Sequence, residues 1–120
     1  MTDEQWEEIG RRAVACKGWR WLPGMLARYS NDAWYRVTEC DSIGIPRRAR
    51  LPNPRFAWPD LRDPATLGCL LALVREIHGA TVHTTPDNTG CGWWVEGLPG
   101  IGIIHATEAG ALVAALKAAP

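Results

Sequence analysis

A chain of 120 residues has room for one hydrophobic core but not for two, so a single domain over residues 1 to 120 is expected. Its 47% hydrophobic and 22% charged residues exclude extended disorder. Thirteen Lys and Arg balance thirteen Asp and Glu, which leaves no overall field to draw DNA or an anionic membrane surface; any anion site must be local.

The opening MTDEQWEE is acidic where a secretory signal is basic and then apolar, so the expected location is the cytoplasm. Thr2 and Gln5 form a capping-box pattern with Asp3 and Glu4 in the first turn, and a helix starts near residue 3. Trp6, Ile9, Ala13 and Cys16 recur on one face of it, and Gly18 stands where a left-handed terminating residue belongs. Trp19, Trp21 and Pro23 then alternate with Arg20 and Leu22, as in a strand. Arginine between aromatic rings is a recipe for nucleotide binding, but in a strand Arg20 faces away from both tryptophans, so this stretch cannot stack and clamp one ligand.

A second strand is expected over residues 33 to 40, AWYRVTEC, after the turn-forming Ser30-Asn31-Asp32. Residues 43 to 62 form a Pro/Arg-rich loop. Asp63 and Pro64 then supply a helix cap and first position. Leu67, Leu70, Leu71, Val74 and Ile77 follow at core-facing spacing, and Gly79 ends the helix. TVHTT at 81 to 85, the turn PDNTGCG and a strand over Trp93 to Glu96 read as a hairpin. GLPG leads into a further strand at 101 to 105, and Thr107 caps a last helix with Leu112, Ala115 and Leu116 inward. The expected class is α+β: one antiparallel sheet of about four to five strands packed with three helices, in the order α-β-β-α-β-β-β-α.

No enzyme signature emerges. Ser30 and Ser42 lack a GxSxG context, and GLPGIG and TGCGWW match neither phosphate-loop pattern. The three histidines are not at chelating spacings, and Cys16, Cys40, Cys69 and Cys91 form no CxxC pair, so no metal and no cofactor is expected and the thiols are read as reduced and mostly buried. Asp60 and Asp63 flank a helix start rather than forming an acid–base pair. Binding is better supported. Seven tryptophans are several times what average usage gives, and indoles are often only partly buried. The ligand-contact candidates are Arg47, Arg48 and Arg55, with Arg50 beside them, Trp58 close by, and His83, Asn88 and Trp94 in the hairpin.

With these elements in place, the chain resembles the phage ABA-sandwich family of small phage and prophage proteins. The resemblance is carried by a helix leading into CKGWRW (16 to 21), a Pro-Asp segment and proline-led helix in WPDLRDPATLGCLLALVRE (58 to 76), paired aromatics in GWWVE (92 to 96) and a capped, alanine-rich final helix in ATEAGALVAALKAA (106 to 119). Some proteins similar to that family are anti-defence sponges that sequester cyclic ADP-ribose or cyclic oligonucleotide signals of Thoeris or CBASS immunity without cleaving them, in pockets between subunits. The resemblance therefore implies a non-enzymatic, homo-oligomeric protein whose partner is a small nucleotide signal. It transfers no contact residue, and the Arg/Pro-rich loop departs from the typical member. The alternative is a protein-interaction module with no nucleotide ligand, and the third is a cysteine-dependent hydrolase using Cys91 and His83.

Overall fold

The helix starts lie where local chemistry puts them. Thr2 accepts a hydrogen bond from the Gln5 backbone while the Gln5 side chain accepts one from the Thr2 backbone, opening α1 (Asp3–Val14). Asp63 accepts from the Thr66 N–H, with Pro64 at the first position of α2 (Pro64–His78). Thr107 accepts from the Gly110 N–H at the start of α3 (Glu108–Lys117). The computed structural model describes residues 1–29, 33–38, 56–88, 90, 92–97 and 104–118.

The described strands are all antiparallel, and the fold is α+β with three helices. Among the described residues the expected single sheet is instead two. β1 (Leu26–Arg28) lies between β2 (Trp34–Arg36) and β3 (Trp58–Pro59), in a register that aligns Trp34, Arg28 and Trp58 across the strands. β4 (His83–Pro86) and β5 (Trp93–Glu96) form a separate hairpin.

The strand expected at Trp19 to Pro23 is irregular chain, and β1 begins only at Leu26. Its alternation reflects packing rather than pleat. The Trp19 N–H closes a turn onto the Cys16 carbonyl, and the Trp19 and Trp21 rings meet edge to face at 5.4 Å, with Trp21 buried in the core. Part of the expected loop at 43 to 62 is strand, because Trp58–Pro59 pair with β1 and the next N–H, that of Asp60, reaches the Leu26 carbonyl. Pro59 sits in an edge strand, where its missing N–H breaks no ladder. The remainder of that loop up to residue 55, residues 39 and 40 of the second expected strand, and residues 101–103 of the last one lie outside the described residues. Of the described residues of that last strand, His105 pairs, as a bridge to Trp93.

Gly18 does not adopt the left-handed conformation expected of it; α1 already ends at Val14, and Gly18 is a packing point. A methyl group there would collide with Ile77 Cδ1 and lie 3.0 Å from Leu116 Cδ1, so its small size lets the chain after α1 pass over α2 and α3. On α2 the buried positions are Thr66, Leu70, Leu73 and Val74, a stripe displaced toward Leu73 from the expected one. α3 is the hub of the fold. It touches α1, α2 and both strands of the hairpin, and its alanines allow that approach from several sides. No described helix is long and apolar enough to cross a membrane.

Candidate functional site

Among the described residues expected to contact a ligand, Trp58 lies in β3, and His83, Asn88 and Trp94 lie in the β4–β5 hairpin and its turn. Arg47, Arg48, Arg50 and Arg55 lie outside the described residues. Trp58 is 5% exposed and so offers no stacking face to solvent. His83 and Trp94 do share one face of the hairpin, because His83 pairs with Glu96 and Thr85 with Trp94, but His83 Nε2 is 2.8 Å from Glu96 Oε2, and Asn88 is exposed at the turn. Of the cysteines, Cys16 and Cys69 are half-buried free thiols, and Cys40 and Cys91 fall outside the described residues.

Trp58 does line a pocket of about 250 Å³, with Arg28 and Arg62 beside it. Both guanidiniums there are already committed to Asp60, at 2.5 and 2.9 Å, and Arg62 also reaches Asp3. With Glu4 and Glu7 on the same wall, carboxylates outnumber cations, so this pocket repels an anion.

The opposite balance holds in a cleft of about 570 Å³ between the C-terminal end of α1 and the side of α3 from Gly110 to Lys117. Arg12 comes from the last turn of α1, Cys16 and Lys17 from the tight turn that follows, Lys117 from the last turn of α3, and His105 from the segment before α3. No carboxylate lines it, and no ion pair engages Arg12, Lys17 or Lys117 among the described residues. Two helix C-termini bring about half a negative charge each, which three full cations exceed by roughly two charges. A smaller cavity of about 300 Å³ shares Arg12, His105 and Gly110 with the first and runs on toward Gln5, Glu8 and Thr107.

Two further groups define the chemistry. Burial pushes the Cys16 thiol up, against the pull of Lys117, and its Sγ donates to the Arg12 carbonyl at 3.3 Å; it is a protonated thiol rather than a primed nucleophile. His105 is pinned by two 2.7 Å backbone hydrogen bonds with Trp93. Gly92 makes room for it, since a Cβ there would stand 2.6 Å from the His105 carbonyl oxygen. The His105 Nε2 is shielded and has no hydrogen-bond partner among the described residues.

No family model, curated protein or solved structure matches this chain. The cleft is therefore read on its own geometry. Its residues escape sequence reasoning because Arg12 and Lys117 each look like a cation placed to complement a helix C-terminus. Only the packing of α1 on α3 makes them neighbours. The one available signal was that α1 and α3 both end in basic residues.

Proposed function

We propose that the protein captures a small anionic ligand of nucleotide type in the α1–α3 cleft and does no chemistry on it. The observation that carries this is the wall of Arg12, Lys17 and Lys117 around a cavity of about 570 Å³ with no carboxylate among its lining residues. That size falls in the range of small-molecule sites, and phosphate oxygens supply the charge that three cations without an ion pair among the described residues lack. The raised Cys16 thiol supports binding over covalent catalysis. Sequestration of a phage-directed immune signal, the role implied by the resemblance to the ABA-sandwich family, is one biological use of such a site.

Titration calorimetry with pyrophosphate, ADP-ribose and cyclic dinucleotides tests it. Saturable binding that disappears in the double variant Lys17→Glu, Lys117→Glu, with the ligand recovered unaltered by mass spectrometry, is the expected result. Equal affinity in wild type and variant would place any binding elsewhere.

A second reading has its own observation: Trp34 is 60% and Phe56 64% exposed, which suits a protein-interaction surface. It predicts no response to any of these anions.

A further inference from the structure

The histidine at the junction of the two cavities has no role in the fold that explains its imidazole. His78 Nε2 is tied to the Ala115 carbonyl at 2.9 Å and His83 to Glu96 at 2.8 Å, so both rings have structural partners. His105 differs. Its backbone is held by the bridge to Trp93, its ring borders both cavities, and its Nε2 is buried without a partner. A buried polar atom left without a hydrogen bond is costly, so a turn of the ring that carries this atom to an acceptor in the neighbouring cavity recovers what burial loses.

We propose that His105 is a direct ligand group of the cleft, its ring donating the Nε2 N–H to an oxygen of the captured anion. The inference rests on the capture function proposed above and adds a residue and a ligand requirement to it: the anion must present an oxygen acceptor at the junction, within reach of Arg12. Because Nε2 is shielded, the ring turns about its Cβ–Cγ bond to present it, and the turn breaks no hydrogen bond at that nitrogen.

Around the ring stand four positive groups, Arg12 on α1, Lys17 in the turn that follows, Lys117 on α3 and the Met1 amine, with Glu8 on α1 and Glu108 in the first turn of α3. Glu108 is itself occupied by the Thr84 hydroxyl at 2.5 Å. Cys16, with its thiol pushed up, stays neutral. A bound dianion adds negative charge beside the ring, so anion binding and imidazole protonation must each favour the other.

Sulfate is the probe, because its charge does not change across the range in which histidine titrates, about pH 5.5 to 8. In NMR titrations sulfate should bind at least about threefold more tightly at the acid end and raise the titration midpoint of His105 by about half a unit, the same quantity seen from the other side. His78 and His83 should titrate alike with and without it. The variant His105→Gln should keep sulfate binding but lose its pH dependence; if that variant misfolds, the wild-type midpoint still decides. Sulfate that perturbs Arg12 and Lys17 equally at both ends, with the His105 midpoint unmoved, overturns the role of His105 and leaves the capture site standing. No sulfate binding at either pH overturns both.

Discussion

Asp60 keeps a full negative charge at 2% exposure because two guanidiniums reach it from different parts of the chain, Arg28 from β1 and Arg62 from two residues downstream. Burial alone pushes its carboxyl up, and the hydrogen bonds from Arg62 and Arg28 outweigh burial, so it ends below the usual carboxylate range. Asp63 is also lowered, chiefly by Arg36, which donates to both its oxygens. Since both carboxyls are depressed on folding, their contribution is complete above the ordinary value of 3.8 and is lost as pH falls through the lower folded values. The melting temperature, followed by circular dichroism, should therefore hold steady down to about pH 4 and fall steeply beneath it. Replacing the buried charge, Asp60→Asn, should cost about 2–3 kcal/mol in urea unfolding, a value set by hydrogen bonds to charged groups and reduced by the one-third exposure of both arginines.

Among the elements, α3 bears the most packing, and its N-terminus depends on one hydroxyl. Thr107→Ala removes the bond to the Gly110 N–H and should destabilise the fold by about 1 kcal/mol, while Thr107→Ser should restore most of it in the same denaturation assay. Such caps were legible in the sequence because they are written within four residues: Thr2 with Gln5, Asp63 with Pro64 and Thr107 before its alanine-rich run. The hairpin strand Trp93–Glu96 was legible for the same reason, flanked by turn residues on both sides. Trp19 to Pro23 was not. Alternating large and polar residues satisfy a strand pattern and an irregular packed segment equally, and what separates them is the edge-to-face contact of Trp19 and Trp21 together with backbone bonds that close local turns, Trp19 onto Cys16 and Met25 onto Leu22. Gly18 shows the same ambiguity, since a glycine after a helix serves either a left-handed turn or a close approach. Here Ile77 and Leu116, about 60 and 100 positions away, decide for the second. Gly18→Ala should accordingly lower stability by about 1 kcal/mol, a modest loss because both opposing atoms are flexible side-chain ends.

For the whole molecule, the candidate site was the least legible feature, because no spacing rule joins Arg12, Lys17, His105 and Lys117. The sequence directs attention to the arginines at 47 to 55, which are dense locally, whereas the cleft is assembled from both ends of the chain by α1 packing on α3. The same geometry governs how an anion would arrive. Formal net charge is zero, so beyond about 10 Å at 0.1 M salt an approaching anion meets no attraction from the molecule as a whole, and only at the rim does it feel three exposed cations. Encounter should then proceed at the rate of an unsteered association, while escape must break contacts with all three. Between about 50 and 300 mM salt, stopped-flow measurements should show the association rate changing by less than about threefold and the dissociation rate rising by about tenfold. An association rate that collapses with salt while dissociation stays constant would instead mean long-range steering, for which this balanced chain has no source.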